Sequence, residues 1–287
     1  MGKFSPIIAS RRLSVDIPIH PYLRDHRFEG RAVYPAVEAM QTLAATVKRC
    51  QPDMHVNRMI AVRFDKFLFL PSEAASIPAF VEVSTHEDMD LSAALLTRTR
   101  LKKAAMSRIK THATFSLSKH DAEVAELPLD PAASLQGTCI QISPDRIYDE
   151  LVPFGRVYRN LCDNLIISPD GALAAIRSPE IEPEGPLGSP FPLDAAFHVA
   201  CVWAQRYSGV VAFPVGLDHR VVVSPACPGQ RYFSRLVPIH TAADVLIFDI
   251  WIYDSGGRLC ELAAGVRMRD VSGGRLQPPE WIRGGKV

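Results

Sequence analysis

The strongest constraint on this fold is an order of elements that occurs twice. "PAVEAMQTLAATVKRC", from Pro35, sets Val37, Met40, Leu43, Ala44 and Val47 on one helical stripe, with Pro35 in a first-turn place that needs no N–H. Four segments of alternating or β-branched character follow: "IAVRFDKFLFLP", "IPAFVEVSTHE", "LSAALLTRTRL" and "SRIKTHATFSLS", read as consecutive antiparallel strands. "PLDAAFHVACVWAQRY" then gives a second helix, and "HRVVVSP", "QRYFSRLVP", "DVLIFDIWIYD" and "GRLCELAAGVRMRD" a second set of strands. The helix starts near Pro35 and Ala195, and the first strands near Ile60 and Arg220, are each offset by roughly 160 residues, far beyond solenoid periods. The pattern is that of a duplicated α+β unit in which an antiparallel sheet wraps one long helix. Separate helix and sheet layers would give the same periodicity. The expected units are residues 10–120 and 141–272, with a linker over 121–140 and a tail over 273–287. The linker segment "DAEVAELPLDPAASLQ" is acidic, Pro- and Ala-rich and aperiodic.

Composition narrows the function classes. A chain of 287 residues, 47% hydrophobic and 22% charged, has material for one large or two small cores. Its 32 Lys+Arg against 31 Asp+Glu leave no overall field to draw in nucleic acid or an anionic membrane. No apolar run approaches the roughly 20 residues of a membrane span. The cysteines (Cys50, Cys139, Cys162, Cys201, Cys227, Cys260) are scattered without CxxC spacing, which speaks against a zinc site or disulfide scaffold and suits a reducing cytoplasm. Without a GxSxG elbow, a P-loop or a GxGxxG after a strand, serine hydrolase, nucleotide-phosphate and dinucleotide chemistry have no support.

The residues suited to chemistry sit beside the two helices. His26 precedes the first, in "DHRFEGRAVYPAVEAM"; Asp194 opens the second, with His198 one turn along on the same face. An Asp at a helix start reads equally well as an N-cap. By the repeat, Asp194 takes the place of Tyr34, a short way after His26, so each half can supply one group to a shared site. His20, Asp25 and His26, or Asp194 with His198, have ligand chemistry, but neither set offers three spaced ligands, so no metal is expected. Cys201, on the second helix, reads as packing.

These residues carry a resemblance. His26, Gly30 and Pro35 fit HxxxGxxxxP, and Asp194 with His198 fits DxxxQ/H, two motifs of the dehydratase domains of modular polyketide synthases. "FPVGLDHRVVV" and "FDIWIYDSGGRLCELAAGVRMRD" are similar to that family's strand after the second helix and its closing hairpin, so the likeness runs from about Leu13 to Asp270. The resemblance implies a double hotdog fold and elimination of water from a β-hydroxyacyl thioester to give the α,β-enoyl thioester. His26, neutral near pH 7, would take the α-proton. Asp194, its pKa raised by burial, would protonate the departing hydroxyl. His198 would orient Asp194, with Gly30, Pro35 and Tyr158 in support, and helix-start N–H groups would hold the thioester carbonyl. The acyl chain would arrive on the phosphopantetheine of an acyl carrier protein or on coenzyme A. Other synthase components would be partners, no cofactor would be bound, and a homodimer is left open.

A third motif of the family, YGPxFxG, stands here as "FGRVYRN". Phe154 replaces the tyrosine, Arg156 the proline, Tyr158 the phenylalanine and Asn160 the last glycine; Gly155 is kept. Phe154 and Gly155 are expected in the tunnel wall, with Arg156 and Arg159 bringing charge to it. In "RTRLKKAAMSRIK", Arg98, Arg100, Lys102, Lys103, Arg108 and Lys110 gather without an intervening acid, an expected contact for an acidic carrier protein, though a solvated hairpin gives the same run. The rival functions are a product-template-like polyketide cyclase and a non-catalytic acyl-binding hotdog module. A hotdog thioesterase fits less well, because its water-activating carboxylate stands without such a His/Asp pair.

Overall fold

The computed structural model describes residues 5–100, 107–118, 135–241 and 245–283. In chain order these are β1 (Ile7–Pro18), a 3-10 turn (Pro21–Asp25), the short strands β2 (Arg27–Phe28) and β3 (Arg31–Ala32), and α1 (Ala36–Cys50). Next come β4 (Arg58–Phe64), β5 (Ser76–His86), β6 (Leu91–Arg100), β7 (Ser107–Leu117) and β8 (Ile140–Ile142). A short α2 (Pro144–Arg146) runs into a π turn (Ile147–Leu151), then a 3-10 turn (Arg156–Tyr158), β9 (Leu165–Ser168) and β10 (Gly171–Arg177). The chain closes with α3 (Phe191–Tyr207), β11 (Phe213–Val222), β12 (Arg231–Thr241), β13 (Leu246–Asp254) and β14 (Leu259–Arg269).

The duplication is visible in the spacing. One constant interval separates Ala36 from Phe191, Arg58 from Phe213, Ser76 from Arg231 and Leu91 from Leu246, the starts of α1/α3, β4/β11, β5/β12 and β6/β13. At that interval Asp194 pairs with Ala39 rather than Tyr34, because α3 begins at Phe191, upstream of Ala195. Twelve of the described strands form one antiparallel sheet in the order β1-β5-β6-β7-β4-β11-β14-β13-β12-β10-β9-β8. Its halves wrap α1 (against β5, β6 and β7) and α3 (against β10 to β13), and the helices touch each other, giving two hotdog units side by side.

The strands following each helix are not strictly consecutive. β4 and β11 each pair with the last strand of their own meander, β7 and β14, and with each other, Ile60 opposite His219. The sequence "IAVRFDKFLFLP" splits for this reason. Its strand ends at Phe64, and Lys66–Leu70 leaves the sheet to bond the start of α1: Tyr34 N–H donates to Leu68 O (2.8 Å) and Leu70 N–H to Ala32 O (2.9 Å). Behind this seam Arg220 of β11, 1% exposed, pairs with Glu261 of β14 at 2.6 Å and places a guanidinium nitrogen 3.7 Å from Met40 Sδ of α1.

The helices differ in their surroundings. α1 buries the Val37, Met40, Leu43, Ala44 and Val47 stripe, and Lys48 and Arg49 in its last turn complement the helix dipole. In α3 every residue from Phe191 to Gln205 is buried, the signature of a helix enclosed on all sides. The expected linker lies mostly outside the described residues. The described part of the tail is docked: Ile282 is buried, Arg146 lies 3.5 Å from the centre of the Trp281 ring, and Trp281 Nε1 donates to Glu150 (2.5 Å). Among the described residues no helix is long and apolar enough to cross a membrane.

Candidate active site

His26 lies where the first 3-10 turn meets the β2–β3 hairpin. Its N–H donates to Leu23 O (3.3 Å) and its carbonyl accepts from Val33 N–H (2.9 Å), so the main chain is held on both sides. The two-residue hairpin turn puts Glu29 and Gly30 at φ 47° and 75°, the left-handed pair of a type I′ turn, and this is what Gly30 supplies. Pro35 is the N-cap of α1 rather than its first residue; its carbonyl accepts Ala39 N–H (3.0 Å).

Asp194 is not a cap. Pro190 is the N-cap of α3, and Asp194 sits inside the first turn with its N–H on Pro190 O (3.2 Å), which leaves the carboxylate free of capping duty. Its Oδ1 is 3.8 Å from His26 Nε2, so groups far apart in sequence meet between the units. Its Oδ2 is 3.0 Å from His198 Nε2, a close contact lying off the hydrogen-bond axis. The other His198 nitrogen, Nδ1, is 3.3 Å from the hydroxyl of Tyr148, a residue that no sequence motif singles out. Both Asp194 and His198 are buried.

His26, Asp194 and His198 line a cavity of about 2280 Å³, together with Phe154, Phe197, Cys201 and Val33. Phe154 stands between the two imidazoles, 4.4 Å from the His26 ring and 4.9 Å from that of His198. Tyr158 packs edge-on to His26 at 5.1 Å but does not line the cavity; its buried hydroxyl has no partner among the described residues. Gly155 is explained by close approach: its N–H donates to Asp25 O (2.8 Å), and a Cβ would overlap the Asp25 carboxyl, which itself accepts Val157 N–H (3.0 Å). Gly155 lies behind the wall and does not line the cavity. The two arginines of "FGRVYRN" also stay away from it. The 3-10 turn directs Tyr158 inward, leaving Arg156 exposed and Arg159 folded back onto Phe154 O (3.0 Å) and Asp149 (2.8 Å). Cys201 is at the cavity wall, where burial pushes its thiol up to about 11, so it is no nucleophile at neutral pH.

Burial lowers the pKa of His26, opposed by the Asp194 charge and reinforced by His198. For Asp194, burial acts upward, but the adjacent His198 and His26 more than offset it and hold the carboxyl below its usual range. The direction is thus opposite to the expected elevation of Asp194. On α1, Glu38 is buried under the Tyr22 hydroxyl (3.2 Å), and desolvation raises its pKa to about 7.

The basic run divides. Lys102 and Lys103 lie outside the described residues, as does the side chain of Arg100. Arg98 is opposite Ile109, whereas Lys110 is opposite Thr97, so strand alternation puts Arg98 on one face of the β6–β7 hairpin and Lys110, with Arg108, on the other. Lys110 lines the cavity. The ligand types considered for a metal are otherwise engaged: His20 pairs with Glu184 (2.6 Å) and Asp25 with Val157. Among the described residues no three His, Cys, Asp or Glu side chains converge to hold an ion.

Residues 126–278, more than half of the chain, match the family described as "Polyketide synthase dehydratase N-terminal domain", and the chain belongs to that family. Solved structures agree in fold. A dehydratase domain of a mycocerosic acid synthase-like polyketide synthase is 17% identical over 91% of this chain and 90% of its own, with a TM-score of 0.70. The dehydratase domain of RzxB from Pseudomonas fluorescens is 19% identical over 90% and 94%, TM-score 0.70. That of PpsC from Mycobacterium tuberculosis, in complex with C12:1-CoA, is 18% identical over 93% and 97%, TM-score 0.67. No curated protein matches.

Proposed function

We propose that this chain converts a β-hydroxyacyl thioester to the α,β-enoyl thioester, with His26 and Asp194 as one acid–base dyad. The observation that carries this is the 3.8 Å approach of His26 Nε2 to Asp194 Oδ1 at the wall of one cavity, one group from each unit. Neutral His26 takes the α-proton; the resulting imidazolium faces the Asp194 carboxylate and passes the proton to it. Asp194 then protonates the β-hydroxyl as the C–O bond breaks and the C=C bond forms. The proton removed at the α-carbon leaves in the water, and the dyad returns to its starting state. A substrate that seals the cavity removes water from Asp194 and raises its affinity for that proton. The first N–H groups of α1 have no acceptor within the helix, and Ala36 among them lines the cavity, so the thioester carbonyl and its developing enolate charge are assigned there.

The donor is a phosphopantetheine thioester, on coenzyme A or a carrier protein. Support for the former comes from the C12:1-CoA held by the PpsC domain. For the latter, the face of the β6–β7 hairpin bearing Arg108 and Lys110 is the docking surface, with residues 10–120 and 141–272 as the two units. The test is mass spectrometry of β-hydroxyacyl thioesters incubated with the protein: loss of one water supports the reading, and unaltered substrate across short, long, CoA-bound and carrier-bound donors overturns it. Charge reversal at Arg108, which is exposed and does not line the cavity, should raise KM for carrier-bound donors alone.

A further inference from the structure

We infer that Tyr148 is a positioning residue that locks the tautomer of His198 and thereby aims Asp194. The inference rests on Asp194 as the reacting carboxyl. The Tyr148 oxygen accepts two backbone N–H groups, Asn160 at 2.9 Å and Leu161 at 3.0 Å, which occupy both of its lone pairs. Only the hydroxyl proton is left, and the one ring nitrogen within reach is His198 Nδ1 at 3.3 Å. Nδ1 must therefore accept, so the ring proton of neutral His198 sits on Nε2, 3.0 Å from Asp194 Oδ2.

The polarity is thus set by main-chain groups: Asn160 and Leu161 N–H donate to Tyr148 and Tyr148 to His198, which leaves the Nε2 proton beside Asp194 Oδ2 as a close charge contact off the hydrogen-bond axis. The arrangement reserves Oδ1 of Asp194 for His26 and the substrate. Tyr148 is buried, and the two N–H donors come from the end of the segment that carries Phe154 and Tyr158. The loop behind the cavity wall and the acid on α3 are therefore aligned by one phenol. Burial raises the pKa of that phenol, so it keeps its proton throughout the neutral range.

The test uses protein labelled with 15N-histidine. In the unsubstituted chain, a long-range 1H–15N spectrum should show His198, assigned by its loss in His198→Gln, with the proton on Nε2 alone. Tyr148→Phe should turn this into a tautomer mixture and lower kcat by about tenfold, the worth of one hydrogen bond, with KM little altered. His198→Ala should lower kcat similarly, and His198→Gln should recover most of that loss, since its amide nitrogen donates to Asp194 while its oxygen accepts from Tyr148. Where Tyr148→Phe does not fold, the unsubstituted spectrum and the Ala/Gln pair decide. A proton on Nδ1, or a Gln variant no better than Ala, overturns the lock. Failure to dehydrate any β-hydroxyacyl thioester would remove the reaction instead, and the tautomer would still report on the lock.

Discussion

The two hotdog units share one wiring but hold the two groups proposed for the reaction differently. In the first, His26 belongs to a loop ahead of the helix; in the second, Asp194 is on the helix itself. The constant interval makes the comparison residue by residue: Gly30 corresponds to Gly185 and Pro35 to Pro190, but His26 corresponds to Ile181 and Asp194 to Ala39. The segment before α3 is sealed by Gln41 of α1, which donates to Gly188 O and accepts Leu187 N–H (3.2 Å). The segment before α1 instead opens on the cavity. Duplication thus supplied two equivalent frames, and one side chain from each completes a site that neither frame holds alone. The enclosed helix fixes the carboxylate, and the loop brings the imidazole.

The largest expected effect comes from cutting the seam between the frames. Arg220→Ala leaves Glu261 buried and unpaired, and should cost about 3–5 kcal/mol in chemical denaturation. Replacing both partners with apolar residues of similar volume should recover most of this. A single cooperative transition in each case would show that the units fold as one, and two transitions would break the comparison.

A second difference is that α1 buries a carboxyl with no reaction assigned to it. Glu38 carries a pKa of about 7 in the folded chain against an ordinary 4.5, so the folded state holds the proton more tightly. Stability is then lost as pH rises from about 4.5 to about 7, with a slope of at most about 1.4 kcal/mol per pH unit. Glu38→Gln should flatten this slope in melts across that window. An unaltered slope would place the pH dependence elsewhere.

The smallest effect concerns Phe154, wedged between the two imidazoles. Phe154→Tyr restores the hydroxyl of the family motif and should raise the dehydration rate by up to about tenfold, one hydrogen bond's worth. A slower enzyme would mean that the slot has closed around the phenyl ring.

The helices and most strands were legible in sequence because their apolar periods are long and uninterrupted, and the His26 and Asp194 motifs mark the two side chains that meet at 3.8 Å. β1, with a polar, largely exposed face along most of its length, and the brief β8 to β10 have no such period. The β4–β11 pairing escaped because alternation records which face a strand buries and not which strand lies beside it. Tyr148 escaped for a related reason. Within "PDRIYDEL" it reads as a packing aromatic, and only the convergence of two main-chain N–H groups and an imidazole sets it apart. The lowered pKa of Asp194 depends on two histidine contacts at specific distances, which a motif does not carry.

The central claim is that His26 and Asp194 act as one unit across the two frames. The direct measurement is kcat/KM for His26→Ala, Asp194→Asn and the double variant on a single β-hydroxyacyl thioester, with melting temperatures as a fold control. Each single change should lower the rate by about 10²–10⁴-fold, and the double variant should be scarcely slower than the slower single. Losses that multiply in the double variant, or singles that still dehydrate normally, would contradict a shared dyad.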